Sequence, residues 1–148
     1  MIGLRPARLD DCAQVWAWRF AADVRALSVD PRLVELDDHA TWYHARLLQP
    51  ASPIWIVEDA GAGIGIVRVD SQVDGSGVIS IALAKAARGR GAGRAAIGAA
   101  CRQWNARVVA VIRVDNLASQ SAFEACGFRP GDRSQDLITY VWSPDGES

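Results

Sequence analysis

The sequence predicts a mixed α/β domain with a largely antiparallel sheet, and three observations carry this. Short Val- and Ile-rich runs recur between stretches whose apolar residues keep helical spacing. Residues 54–59 and 64–69 flank Ala60-Gly61-Ala62-Gly63, which is a hairpin signature. The chain has 148 residues, 50% apolar and 22% charged, so a single domain over 1–148 is expected. A chain of this size buries roughly two-thirds of its unfolded surface, enough for a core without staples.

Each element follows from local pattern. Residues 2–5 form an opening strand. Asp10 and Asp11 then offer N-caps to a helix that carries Cys12, Val15, Trp16 and Phe20 at three- and four-residue spacing. Residues 23–34, with Arg25, Asp30-Pro31 and mixed polarity, read as a loop. Asp37 or Asp38 caps a second helix through Trp42, His44 and Leu47, which Pro50 ends. After the hairpin, the turn Asp74-Gly75-Ser76-Gly77 leads into a strand over 78–83. An Arg/Gly segment follows, then a helix over 95–105 with Ile97, Ala100, Cys101 and Trp104 on one face. Residues 108–112 are apolar throughout, as in a strand covered on both faces. Residues 117–125 fit a short helix, and 137–142 a closing strand, with room for one more short strand near Phe128.

Composition excludes several classes. No apolar run approaches the roughly 18 residues of a membrane span. Met1-Ile2-Gly3-Leu4-Arg5 runs into the first strand pattern, so no signal peptide is expected. Cys12, Cys101 and Cys126 sit at no metal spacing, which favours reduced thiols in a cytoplasmic protein over a disulfide framework or a metal site. The net charge of −1 conceals a segregation: residues 75–114 contain no Asp or Glu but hold Lys85, Arg88, Arg90, Arg94, Arg102, Arg107 and Arg113. That points to a local anion site, while the acidic remainder disfavours nucleic acid; an Arg-rich solvated helix face is the plainer alternative.

Chemistry concentrates in Arg88-Gly89-Arg90-Gly91-Ala92-Gly93-Arg94, between a strand and a helix. Small residues let the backbone turn tightly and approach a ligand. The first helix N–H groups have no intrahelical partner, and with the helix dipole they form a pocket for phosphate oxygens. The Lys-Ser/Thr pair of a P-loop is absent, since Arg94-Ala95 stands there. A dinucleotide fingerprint would sit at the start of a parallel sheet, whereas this loop follows several earlier elements.

Arg88-x-x-Gly91-x-Gly93 after an apolar strand resembles the acetyl-CoA pyrophosphate motif of the GNAT N-acyltransferase superfamily. Asn116-x-x-Ser119 and Phe123-Glu124-Ala125-Cys126-Gly127-Phe128 resemble that superfamily's Asn-containing turn and the helix ending in Gly-Phe. The blocks follow in matching order and spacing, from Leu4 to Trp142. In the other half, Trp18-Arg19, Glu35, His39-x-x-Trp42 and 54–58 resemble N-acetyltransferases of nucleotide-linked amino sugars, those of the pseudaminic-acid pathway among them.

The resemblance implies acetyl-CoA as co-substrate, no metal, and acetyl transfer to a primary amine by direct attack. The central strands 78–83 and 108–114 would splay, with helices on both faces of the sheet. Ile81, Ala82 and Leu83 would bond the pantetheine arm. Arg88, Gly89, Arg90, Gly91, Ala92, Gly93 and Arg94 would hold the pyrophosphate, and Asn116 and Ser119 the far side. Phe123 occupies a cofactor-side position where many members place a Tyr that protonates the leaving thiolate; Phe has no proton to give.

Candidate catalytic residues are His39, Glu58 and Ser80, each with a structural alternative: helix packing, a solvated strand end, a backbone contact. Candidate acceptor ligands are Arg19, Glu35 and Trp42, with Trp55 as a second pocket ring; core packing is the alternative for each Trp. Trp16, Trp104 and Trp142 fit core faces, and His44 an exposed one. The partner expected is a small-molecule amine, with no nucleic acid and no membrane, and a homodimer is left open. A protein or peptide N-terminus as acceptor, or a non-catalytic acyl-CoA-binding module of the same fold, are the rival readings.

Overall fold

The computed structural model describes residues 1–145. Strands β1 (Ile2–Pro6), β2 (Ile54–Asp59), β3 (Ala62–Ser71), β4 (Gly77–Leu83), β5 (Val108–Arg113), β6 (Arg129–Arg133) and β7 (Leu137–Trp142) form one sheet. Their order is β1-β2-β3-β4-β5-β7-β6. Helices α1 (Cys12–Arg19), α2 (Ala22–Ala26) and α3 (Leu36–Leu47) precede β2, while α4 (Ala92–Trp104) and α5 (Leu117–Ala125) flank β5. No helix among the described residues is long and apolar enough to cross a membrane.

Every strand pair is antiparallel except β4 with β5. That parallel pair touches only at Gly77–Val108 and Val78–Val109, after which the strands part. The expected splay of the middle strands is thus present.

Two apolar clusters show which face each strand residue serves. On one face Val67, Val69, Ile79, Val108, Ala110 and Ile112 pack with Ala96, Ile97 and Ala100 of α4. On the other, Ile54, Ile56, Ile66 and Ala82 pack with Val15, Trp18 and Tyr43 of α1 and α3. The period-two alternation of β2 and β3 feeds both. Trp55 belongs to the first cluster at 7% exposure, so it is a core residue and not a pocket ring.

Several local expectations need correction. Helix α4 begins at Ala92, three residues earlier than the apolar spacing implied, so Ala92, Gly93 and Arg94 form its first turn. Residues 23–34 are not all loop, because α2 forms there. Neither Asp37 nor Asp38 caps α3; Glu35 is its N-cap and makes no side-chain cap bond. The Asp11 carboxylate turns back to accept the Arg8 N–H at 2.8 Å and to pair with Arg5. Asn116 does cap α5, accepting the Ser119 N–H at 3.3 Å. All three cysteines are free thiols.

Candidate functional site

Where β4 ends, the chain makes a 3-10 turn (Lys85–Ala87) and then enters the Arg/Gly loop. Gly89 and Gly91 adopt φ of +76° and +80°, the left-handed region that favours glycine. A Cβ at either position would meet nothing, so both face open space. Gly91 is the N-cap of α4, and the Ala95 N–H bonds back to its carbonyl at 3.2 Å. The amides of Ala92, Gly93 and Arg94 precede that first intrahelical bond and point out of the helix end. This is a cradle for an anionic group. Gly93 has ordinary φ, and a Cβ there would touch Leu83 Cδ1 at 3.7 Å.

The arginines of the loop are partly engaged. Arg88 bonds the Leu83 carbonyl through Nε and Nη2 and the Asp23 carboxylate through Nη1 at 2.5 Å. It therefore ties α2 to the end of β4, and its hydrogen bond, with its charge in support, holds the Asp23 carboxyl below the usual range. Arg90 reaches back to the Ala86 carbonyl at 3.0 Å. The Arg94 carbonyl accepts from the Cys126 thiol at 3.3 Å. Beneath the Arg88 brace, a cleft of about 420 Å³ opens between Ala17, Trp18 and Ala21 on one side and Leu83, Ala84 and Lys85 on the other.

Across the splay, Ser119 sits in the first turn of α5 and the Asn116 oxygen is engaged as its cap. Asn116 Nδ2 approaches the Leu27 carbonyl at 3.5 Å, linking this turn to the residues after α2. Phe123, read as a cofactor contact, is 3% exposed and meets Phe128 edge-on at 4.9 Å, so it is a packing residue. On β4, Ala82 is buried under α1 and α3, while Ser80, Ile81 and Leu83 remain half-buried.

Two catalytic candidates prove to be elsewhere. Glu58 stands at a β-bulge of β2 and accepts from Arg5 Nε at 3.0 Å, in a network with Asp11. It lies two strands away from β4 and is held by Arg5 on the β1 side. His39 is 1% exposed and is stacked on Tyr43 with Trp42 and Phe20 beside it. Its Nδ1 lies 3.5 Å from Arg19, and its buried Nε2 completes no hydrogen bond. A ring so enclosed packs the helices and has no route to an amine. Glu35 is exposed at the start of α3.

Burial, then the Arg19 charge, pushes the His39 pKa down to about 4 from 6.5. The unfolded chain therefore takes up this proton first as pH falls. The stabilisation from neutral His39 is complete above about pH 6.5 and declines by about 1.4 kcal/mol per pH unit on acidification toward 4. Urea unfolding at pH 7 and pH 5 checks this. The wild type is expected to lose stability more steeply than His39→Gln, and equal slopes would disprove it.

What the sequence did not single out is Arg68. It projects from β3 on the same face as Ile66, opposite Ser80 in register, into the layer under α1 and α3. There Arg19, Arg68 and Arg46 lie 4.4, 5.3 and 5.5 Å from the Trp42 ring centre. Arg46 is 8% exposed and is satisfied by Asp70 and the Ser52 and Val69 carbonyls. The available signal was periodicity: Arg68 and Asp70 occupy alternate positions that should be apolar if the face were only core.

Residues 2–129 match the family model described as an acetyltransferase (GNAT) domain. No curated protein matches the chain by sequence. Among solved structures, the spermidine N-acetyltransferase from Vibrio cholerae in complex with CoA and spermine is similar at TM-score 0.87 and 19% identity, over 98% of this chain and 96% of that one. An aminoglycoside acetyltransferase in complex with coenzyme A gives TM-score 0.83 at 15% identity, over 99% and 96%. A ribosomal L7/L12 alpha-N-protein acetyltransferase in complex with coenzyme A gives 0.84 at 15% identity, over 99% and 96%.

Proposed function

We propose, on the premise that the chain belongs to the acetyltransferase (GNAT) domain family, that its cleft transfers the acetyl group of acetyl-CoA to the primary amine of a small molecule. One observation carries this reading. The pairing of β4 with β5 stops after Val78 and Val109, and β4 then runs into a loop whose left-handed glycines open the N-terminus of α4. An open strand edge suits the amide-rich pantetheine arm, and a bare helix end suits a pyrophosphate. Acetyl-CoA supplies an activated thioester acyl group.

The chain's own residues position and stabilise. Backbone groups of Ile81 to Leu83 would align the pantetheine arm, and a strand N–H aimed at the acyl oxygen would stabilise charge as it develops there. Ser80, half-buried on β4, is the one side chain of the three catalytic candidates left beside the acceptor face. With Glu58 and His39 engaged elsewhere, the ammonium proton leaves through water. No tyrosine supplies a proton to the thiolate: Tyr43 donates to the Arg8 carbonyl and Tyr140 to Glu124, each at 2.6 Å. The thiolate would leave by protonation from another group, into water, or into the positive field of residues 88–94.

A nucleotide-linked amino sugar is the acceptor suggested by the N-terminal half, with Trp42 as a ring platform. Reduced thiols at Cys12, Cys101 and Cys126 fit a cytoplasmic setting. Calorimetry with acetyl-CoA, followed by thiol release with amino acids, peptides, polyamines and amino-sugar nucleotides, tests the proposal. Saturable binding and turnover with a small amine are expected. Binding without thiol release on any amine would leave only an acyl-CoA-binding module, and turnover restricted to peptides would replace the small-molecule acceptor.

A further inference from the structure

We propose that the acceptor amine also carries an oxyanion, carboxylate or phosphate, which Arg19 and Arg68 hold beside Trp42. The inference rests on the acetyl-transfer reading and names the substrate class for it.

Three guanidiniums surround one indole, and only one of them is neutralised. Arg46 has Asp70 and two carbonyls. Among the described residues, Arg19 has no carboxylate within ion-pairing distance, and its single polar contact is the long one to His39. His39 stays neutral near pH 7, so it relieves nothing. Arg68 makes no hydrogen bond or ion pair among the described residues, and Asp70 acts on it only from a distance. Both arginines are half-buried. Burial pulls the Arg19 pKa down to about 10, with the Arg68 charge as the next cause, and burial pulls Arg68 down too.

Cations withdrawn from water without a counter-ion destabilise a fold, and an aromatic face compensates only in part. An incoming oxyanion resolves that imbalance with charge-assisted hydrogen bonds. The location suits an acceptor. Arg68 pairs in register with Ser80 on β4, a few residues ahead of Leu83 at the cleft, and on the face that α1 and α3 cover. An amine tethered to the bound anion would then be delivered to β4. Polycations such as the spermine and aminoglycosides of the similar enzymes would meet two uncompensated positive charges here. The same chemistry that welcomes an acid excludes them.

The test compares thiol release with aminobutyrate and aminopropylphosphonate against butylamine and spermidine, in wild type and in Arg68→Gln and Arg19→Gln. The anionic amines are expected to exceed butylamine in kcat/KM by about tenfold or more, and their ratio separates carboxylate from phosphonate recognition. Arg68→Gln should abolish that preference through acceptor KM, with KM for acetyl-CoA changed less than about twofold. The unliganded Arg68→Gln protein should melt higher, because an unpaired buried charge is gone; a purely structural arginine would make it melt lower. Equal use of butylamine or spermidine, or an unchanged preference in the variants, overturns the proposal. If acetyl-CoA binds but none of these amines reacts, titration of tryptophan fluorescence with aminobutyrate and aminopropylphosphonate decides. Saturable quenching that Arg68→Gln removes supports the site, and its absence overturns it. Failure of acetyl-CoA itself to bind would instead sink the acetyl-transfer reading, while the fluorescence titration still judges the arginines.

Discussion

Gly91→Val is expected to weaken acetyl-CoA binding by about tenfold or more while leaving the melting temperature close to that of the wild type. The residue holds φ at +80° and caps α4, yet a Cβ there would meet no neighbour. The penalty is therefore conformational and not steric. An L-residue in this region costs roughly 1–2 kcal/mol, and a β-branched one more. The chain can escape by rotating the 90–91 peptide region, which turns the following amides away from the anion they would hold. Because the loop is exposed and α4 is anchored by Ala96, Ile97 and Ala100, the fold tolerates that rotation and binding does not. Gly93→Ala is the control: its φ is ordinary and its Cβ would make a normal contact with Leu83, so a change within about twofold is expected. Calorimetry on both variants separates them. Equal losses would mean that flexibility, and not the left-handed turn, is what the loop needs.

Gly65→Ala should be strongly damaging, because the added methyl group would meet backbone. A Cβ at Gly65 would stand 2.6 Å from the Ala82 carbonyl oxygen, 2.6 Å from Leu83 Cδ2 and 2.9 Å from Leu83 Cα. Two of those atoms are backbone, so no rotamer change relieves the overlap, and β3 must move away from β4 or distort it. Overpacking of this kind costs roughly 1–3 kcal/mol or more. The displaced segment is the stretch proposed to align the thioester, so turnover per folded molecule should fall as well. Gly3→Ala on β1 meets nothing within 4 Å and should shift stability by less than about 0.5 kcal/mol. Urea unfolding with activity measured at matched folded fraction checks both effects. A Gly65→Ala protein as stable and active as the Gly3→Ala protein would refute the close approach.

What was legible in the sequence was local. The closing helix Leu117–Ala125 and strand Leu137–Trp142 follow directly from apolar spacing, and the Arg/Gly loop announces a backbone that must turn tightly. The start of α4 was obscured because Gly-Ala-Gly-Arg lacks apolar periodicity and glycine disfavours helix, although tertiary burial of Ala92 fixes it there. Helix α2 has five residues, too few to display a period. The site residues failed where their partners are distant in the chain. Glu58 meets Arg5 across β1 and β2, His39 is enclosed by Phe20 and Tyr43, and Arg68 meets Trp42 and Arg19 from other elements. Spacing cannot reveal such meetings, since sheet register and helix docking create them.

The two faces of the sheet treat the β4–β5 gap differently. On the α4 side a continuous apolar layer crosses it, joining Val67, Val69 and Ile79 to Val108, Ala110 and Ile112. On the α1 and α3 side the apolar layer includes residues of β2, β3 and β4 and none of β5. The molecule is thus bound like a book, with its spine along α4 and its pages unjoined on the side of α1 and α3. Beyond the short contact at Gly77–Val108 and Val78–Val109, β5, β7 and β6 stand on one side of the gap and β1 to β4 on the other.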